Sequence, residues 1–454
     1  QRKGFVAIVI TQMMAKLVVR VGISIAIVAM VALSINKSKL NRRVANYAGM
    51  LTQTLKYVSR PHTMAFEIDD DEIYNIDTSA TGKEGESSFR SAWNGSEVSQ
   101  TPEEWTTQLS TNDIVEIKNC VQVAKRTTLA VGMRELTKKE CPMPTLEKEL
   151  FPKVALELTD AKNGLGFHVI RGLPVQELTQ QENEIFFWCL GLHLGIAGAQ
   201  DSDGQLLGHV RDTGADSVTT RQYKTNAFID FHSDGADVVG LLCLQNAVQG
   251  GGLSRIISSV SVFLEFQRRF PELVQYLSEP RFYVDTRGST SINFYPMEIA
   301  RRDSQGAIRT FYHKEYFRTW TQHPDASPQS MMDRLTKQVL DAYDSILEEE
   351  TVRVTNQSSS LILEMDFQPG DIQLISNHFV LHSRTAYTDG QDDHDDGHRH
   401  YEEDNSKSKD NNNGYSKRHL LRLWVSMPEN LTLKDKISKY VNMGQVSTRY
   451  VWGK

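Results

Sequence analysis

Two stretches, far apart in the chain, hold the side chains best suited to reactive chemistry. In AFIDFHSDGADVVGLLCLQNAVQGGGLS (Ala227–Ser254), His232 and Asp234 form an H-x-D pair. The apolar run Val238–Leu244, three glycines at Gly250–Gly252 and the hydroxyl of Ser254 follow. In DIQLISNHFVLHSRTAY, His382 comes after a second apolar run. One residue between His232 and Asp234 lets both side chains leave an extended or turning backbone on the same side. Two imidazoles and one carboxylate can occupy one face of an iron(II) ion and leave the other positions for substrate and oxygen. The H-x-acid pattern alone is a poor signal here, because it recurs at His313/Glu315, His323/Asp325, His394/Asp396 and His400/Glu402. Context separates them. His232 and Asp234 lead into a strongly apolar strand, the rigid support a ligand pair needs. His394 and His400 fall in a polar, low-complexity stretch, and His323 stands beside Pro324. His313 has no glycine-rich stretch and no matching distal His–Arg pair. The plain alternative is that His232 and His382 are ordinary, partly buried histidines.

A third stretch adds cations. In SKRHLLRLWVSMP, Arg418, Leu420 and Arg422 alternate onto one face of a strand. Inward-facing arginines are costly to bury without anionic partners. A guanidinium matches a carboxylate at two points, so a dicarboxylate co-substrate is a natural partner. An amphipathic edge strand with solvated arginines is the other reading.

These stretches need elements to position them. Ser110 with Asp113 makes a capping box, and Ile114, Ile117, Val121 and Ala124 share a helical face, so a helix is expected over Ser110–Lys125. Thr179 with Glu182 caps a second helix, with Ile185, Trp188, Cys189 and Leu192 on its apolar face. Pro152 interrupts a weaker helical pattern over Glu147–Glu157. Strands are expected at Gly166–Leu173, Val238–Leu244, Arg281–Asp285, Leu361–Phe367, Ile372–Ile375 and Leu420–Val425. Helices are expected near Val260–Arg269 and Pro328–Glu350, and a loop over Gly195–Gly208. Many short strands with helical inserts give a mainly β fold with flanking helices, a sandwich or jelly roll.

The 454 residues suffice for one large domain with extensions. A net charge of -7 argues against binding nucleic acid through phosphate neutralisation. The four cysteines, Cys120, Cys141, Cys189 and Cys243, are far apart and form no C-x-x-C pair. Cys120, Cys189 and Cys243 sit among apolar residues and read as buried free thiols in a reducing compartment. Residues 1–66 hold ten Lys or Arg and no Asp or Glu. They include an apolar region over 5–35 whose uninterrupted part, Val21–Ile35, is shorter than the roughly 20 residues of a bilayer span. This extension reads as a mitochondrial presequence, a short membrane anchor or a gene-model artefact. The chain is thus cytoplasmic or mitochondrial, with membrane association only through that region. Residues 67–92 read as linker, and 93–454 as the main domain. An acidic, His-rich, then Lys/Asn/Ser-rich insertion at 389–417 has a composition that buries no core.

Together FHSDGADVVGLLCL, the G-G-x-S at Gly251–Ser254, NHFVLHSRTAY and RHLLRLW resemble the taurine dioxygenase-like (TauD/TfdA) family of iron(II)- and 2-oxoglutarate-dependent dioxygenases, in particular an uncharacterised fungal and bacterial branch. The resemblance covers roughly Trp93–Pro428. It implies a double-stranded β-helix, a jelly roll of the clavaminate synthase-like type. It implies His232, Asp234 and His382 as iron ligands, Ser254 and Arg418 as contacts of 2-oxoglutarate, and Arg422 as a second arginine near the co-substrate or substrate. The family often has Thr where Ser254 stands. The insertion lengthens the gap from His382 to Arg418, so Arg422 and the nearer Arg384 remain alternatives. The implied reaction uses O2 and 2-oxoglutarate, releases succinate and carbon dioxide, and hydroxylates a C–H bond of a small organic substrate, with an anionic one suggested by the surplus of arginines. Taurine itself is not indicated. Arg211, Asp212, Tyr223 and Asn226 are candidates for the pocket wall, or simply loop residues. The alternatives are a non-catalytic or cupin-like metal-binding jelly roll and a membrane-anchored scaffold.

Overall fold

The computed structural model describes residues 89–200, 204–214, 222–279, 282–285, 294–303, 306–322, 330–389 and 417–427. The extension over 1–66, most of the 67–92 linker, and the insertion between its end residues lie outside them. So do His323, His394 and His400. The first described residues are already well anchored: Trp93 is buried and its indole N–H donates to the Leu165 carbonyl at 2.7 Å.

The N-terminal part builds a helical layer. It comprises β1 (Thr106–Gln108), α1 (Thr111–Val131), α2 (Pro144–Glu149), α3 (Phe151–Thr159), β2 (Phe167–Arg171) and α4 (Gln180–Leu194). Both expected capping boxes form, Ser110 with Asp113 at α1 and Thr179 with Glu182 at α4. The weak helical pattern around Pro152 resolves into two helices, because proline is tolerated only in a helix's first turn and Pro152 opens α3. The segment expected as loop over Gly195–Gly208 instead holds β3 (Ile196–Gly198) and the start of β4 (Leu207–Val210). Both lie along β15, and such short edge strands carry too few residues to show a period.

The remaining elements are β5 (Ile229–His232), β6 (Val238–Gln245), β7 (Ser254–Ser258), α5 (Ser259–Arg269), β8 (Phe282–Asp285), β9 (Phe294–Met297), β10 (Ala300–Arg302), β11 (Ile308–Thr310), α6 (Met331–Thr355), β12 (Ile362–Met365), β13 (Ile372–Ser376), β14 (Val380–Arg384) and β15 (His419–Ser426). The large sheet runs β1-β2-β13-β6-β15-β3, with β4 also on β15. The small sheet runs β12-β7-β14-β5. Successive strands switch sheets: β5 lies in the small one, β6 in the large, β7 and β12 in the small, β13 in the large, β14 in the small and β15 in the large. This is the expected double-stranded β-helix.

The large sheet is buried on both faces. Val239 of β6 packs into the core between the sheets, while Val238 and Leu242 pack against the helical layer. That is why Val238–Leu244 reads as a continuous apolar run instead of alternating. In the helical layer, Cys141 and Cys189 form a disulfide, which corrects the expectation that Cys189 is a free thiol. The connection after α1 brings Cys141 to within 5.4 Å (Cα–Cα) of Cys189 on α4, although 48 positions separate them in the chain. Cys120 and Cys243 are free and buried. The compartment inferred from free thiols loses that support. Among the described residues no helix is long and apolar enough to cross a membrane.

Candidate metal centre

The two histidines meet because their strands pair. His232, the last residue of β5, stands directly opposite His382 of β14. Side chains of opposed residues project from the same face, and the two ring centroids are 4.2 Å apart. The chain then turns, and Asp234 enters between them. Asp234 Oδ1 lies 3.8 Å from His232 Nε2, and Oδ2 lies 3.6 Å from His382 Nε2. One ligand atom from each of His232, Asp234 and His382 falls within 4.8 Å of the others. The β14–β5 register slips between His382 and Arg384, a bulge of the kind that re-aims side chains beside active sites.

The surroundings hold these three groups in ligating form. His232 Nδ1 lies 2.8 Å from the Asp230 carbonyl. That contact places a proton on Nδ1 and turns Nε2 toward Asp234. Burial, then the neighbouring His232 ring, push the His382 imidazole down to about 3, so it is neutral. Burial opposes charge on Asp234, but Arg422, His382 and His232 outweigh it and hold the carboxyl at about 2. The Trp424 indole donates to Asp234 Oδ2 at 2.9 Å, and the Asp234 backbone N–H donates to Asn377 Oδ1 at 2.9 Å. A neutral His382 ring, an ionised Asp234 carboxylate and the His232 Nε2 turned toward them make a donor set that suits a divalent cation.

Further along the same interior lies a cluster of cations. Arg418, just before β15, and Arg422 on it reach this interior, in line with the alternation expected of them, and Trp424 continues the same spacing. Arg422 is engaged: its Nε donates to Gln200 Oε1 at 2.7 Å, and Nη1 lies 3.8 Å from Asp234 Oδ1. Its guanidinium also stacks on Tyr223 at 4.4 Å. Arg418 is only 3% exposed, and its Nη2 donates to the Gly252 carbonyl at 3.2 Å. This close approach explains the glycine, since a Cβ at Gly252 would stand 2.6 Å from Arg418 Nε in a backbone with φ of 71°. Ser254 is buried two residues on, and its hydroxyl donates to Gln373 Oε1 at 3.0 Å. Arg384, 6% exposed, also faces this interior. Burial, then Arg418, push its guanidinium down to about 10. Arg384 Nε and Nη1, Arg418 Nη1 and the Tyr387 hydroxyl are buried with no hydrogen-bond partner. Such a set of unpaired donors fits a carboxylate.

Of the other candidates, Tyr223 joins the site through Arg422. Arg211 and Asp212 line, together with Arg418 and His419, a cavity of about 540 Å³. Asn226 is exposed, and its carbonyl accepts from the Tyr387 N–H. Sequence reasoning set His313 aside, yet its backbone bridges to His232, its ring centroid lies 5.1 Å from that of His232, and it stacks on Tyr316. Among the described residues, however, the ligand group around His232 stops at three members. Sequence reasoning also missed Trp424 and Gln200 as partners of Asp234 and Arg422. Trp424 was within reach, since it continues the Arg418–Arg422 alternation.

A model of the family described as taurine catabolism dioxygenase TauD, TfdA family matches residues 134–401. The match takes in His232, Asp234, Ser254, His382 and Arg384 and stops short of β15. A curated relative, the FR-33289 synthase of Streptomyces rubellomurinus, is 28% identical over 359 residues, 77% of this chain and 93% of that protein. The taurine hydroxylase-like protein SAT17 of Stachybotrys chartarum is 23% identical over 305 residues, 65% of this chain and 74% of that protein. Among solved structures, an asparagine oxygenase in complex with Fe(II), 2S,3S-3-hydroxyasparagine and succinate aligns at 16% identity and a TM-score of 0.47, over 72% of this chain and 94% of that one.

Proposed function

The chain belongs to the taurine catabolism dioxygenase TauD, TfdA family, matched over more than half its length, and is an iron(II)- and 2-oxoglutarate-dependent dioxygenase; from that premise we propose that His232, Asp234 and His382 hold the iron and that Arg418 and Ser254 hold the distal carboxylate of 2-oxoglutarate. The observation that carries this reading is the convergence of the three ligand atoms within 4.8 Å. The unpaired donor of Arg418, on the same interior face of β15 as Arg422 and Trp424, supports the co-substrate assignment. Bound iron(II) and 2-oxoglutarate supply the oxidising chemistry, consuming O2 and releasing succinate and carbon dioxide as a C–H bond is hydroxylated.

The chain's own residues prepare the site for it. The Asp230 carbonyl orients the His232 ring, Trp424 holds the Asp234 carboxylate, and Asn377 accepts from the Asp234 backbone N–H. The sheets keep bulk water from the ligands, which are nine-tenths buried at Asp234 and His382. Arg422, beside Asp234 and stacked on Tyr223, and His313, beside His232, adjoin the centre. Their chemistry supports a small organic substrate with an anionic group, held by Arg422. The curated relatives, one named a synthase and one taurine hydroxylase-like, support oxidation of a small molecule.

The test is anaerobic titration with iron(II) and 2-oxoglutarate, watching the weak visible charge-transfer band of the chelate. The band should form in the wild type and be absent in His232→Ala. Iron binding without a band would leave a cupin-like metal protein as the better reading. Uncoupled succinate formation across panels of anionic and neutral small molecules then tests the substrate class. Equal stimulation by both panels would remove the anionic assignment.

A further inference from the structure

We propose that Arg384 is a second cation for the distal carboxylate, and that it ties this carboxylate to the segment carrying Tyr223 and His232. This inference rests on the iron(II) and 2-oxoglutarate reading above.

The argument starts from spacing. In H-x-R, Arg384 shares a strand face with His382. The register then places it. Arg384 stands directly opposite Ser254 of β7, so the two side chains enter the interior together. The Arg384 and Arg418 guanidiniums both lie against the Tyr387 ring, at 4.8 and 5.1 Å from its centroid. Among the described residues neither has a carboxylate within the 4.0 Å of an ion pair. Asp389, which accepts from the Arg418 backbone N–H, and Asp212 act on the pair from beyond ion-pair distance; two buried guanidiniums with no carboxylate in contact are costly, and the cost is relieved by an anion that touches both. The donors for it exist: Arg384 Nε and Nη1, Arg418 Nη1 and the Tyr387 hydroxyl are all unpaired. One carboxylate offers about four lone-pair sites, enough to accept from both arginines and a hydroxyl.

The rest of Arg384 is a tether. Its Nη2 donates to the Thr225 carbonyl at 2.9 Å and also to that of Ala227. Those carbonyls lie between Tyr223, which stacks on Arg422, and β5, which ends on His232. A carboxylate seated on Arg384 therefore braces the segment that delivers one metal ligand. Arg384 is in this sense a positioning residue as well as a co-substrate contact.

The test compares Arg384→Gln and Arg384→Lys with wild type and Arg418→Gln, by anaerobic calorimetry with iron(II) present. The probes are 2-oxoglutarate and 2-oxopentanoate, which carries a methyl in place of the distal carboxylate. Thermal stabilisation by glutarate, which lacks the keto acid, is followed without metal. Arg384→Gln should weaken 2-oxoglutarate binding roughly tenfold to a hundredfold, the range for charged hydrogen bonds. Binding of 2-oxopentanoate should change less than about twofold, and stabilisation by glutarate should be lost. Arg384→Lys should fall between, because it keeps charge but not the planar set of donors. If both probes weaken equally in both variants, Arg384 is only a strut and the inference fails. If Arg384→Gln does not fold, Arg384→Lys decides by the same ratio of the two probes. Failure of the parent reading looks different: wild type would then bind neither iron nor 2-oxoglutarate.

Discussion

The metal end and the arginine end of the interior are both built from buried charge, but they are balanced differently. At the metal end opposite charges already meet. Asp234 is ionised and lies within 3.8 Å of His232, His382 and Arg422, with an indole N–H and a backbone N–H fixed in place. At the arginine end two guanidiniums share one tyrosine ring, and several donors have no partner. The first end is organised before anything binds. The second holds positive charge in reserve for an anion. Strand pairing supports both, because β14 carries His382 toward one end and Arg384 toward the other.

That contrast breaks most sharply with a metal ligand. Asp234→Ala strips the carboxylate from between two rings and Arg422. Iron affinity should fall by well over the roughly 10–100-fold typical of losing a mere outer partner of a ligand. Metal analysis after reconstitution checks this, and a variant that retains one iron per chain would refute the assignment. The next effect is Arg418→Met. Affinity for 2-oxoglutarate should drop about a hundredfold, the scale of a lost charge-assisted pair. The melting temperature of the ligand-free protein should hold or rise, because an apolar side chain replaces a buried charge that has no carboxylate in contact. A marked fall in melting temperature would mean that the arginine end is as balanced as the metal end. Smaller again is Trp424→Phe, which keeps the ring and removes the hydrogen bond to Asp234 Oδ2. Iron affinity should fall about tenfold, while 2-oxoglutarate binding at saturating iron is unchanged. A loss confined to the co-substrate would contradict the division between the two ends.

How much of this was legible before the fold depends on whether the information is local. His232 and Asp234 are one residue apart and lead into an apolar strand, and Arg418 and Arg422 alternate along one strand, so their faces follow from the period alone. The pairings do not. That His382 stands opposite His232, and Arg384 opposite Ser254, is set by ladders joining distant segments. The same holds for Trp424 reaching Asp234 and for Cys141 meeting Cys189, where helix packing supplies a proximity that no spacing encodes. A mainly β sandwich or jelly roll was readable from the many short strands, while the double-stranded β-helix was implied by the family resemblance. Edge strands such as β3 were not, because three residues carry no pattern.

A carboxylate outside the pocket shows what local balance achieves without any ligand. Glu182 at the start of α4 is held at about 2, as low as Asp234, but for a different reason. The Thr179 backbone N–H is the main cause, followed by Lys125, the Thr179 hydroxyl and Gln122. Asp234 depends chiefly on the charge of Arg422 across the pocket, whereas Glu182 is satisfied by hydrogen-bond donors from its own helix cap and from α1. A depressed folded-state value contributes stability above the unfolded value, about 4.3, and that stability is lost as pH falls toward 2. Glu182→Gln should therefore cost about 1 kcal/mol at pH 7, the scale of a helix cap. The difference from wild type should shrink through pH 4 and 3, as protonation makes the wild-type group resemble the amide. Urea midpoints at pH 7, 4 and 3 measure it. A gap that stays constant with pH would show that packing of the side chain, not its charge, is what α4 uses, and Glu182 would no longer serve as the balanced reference for Asp234.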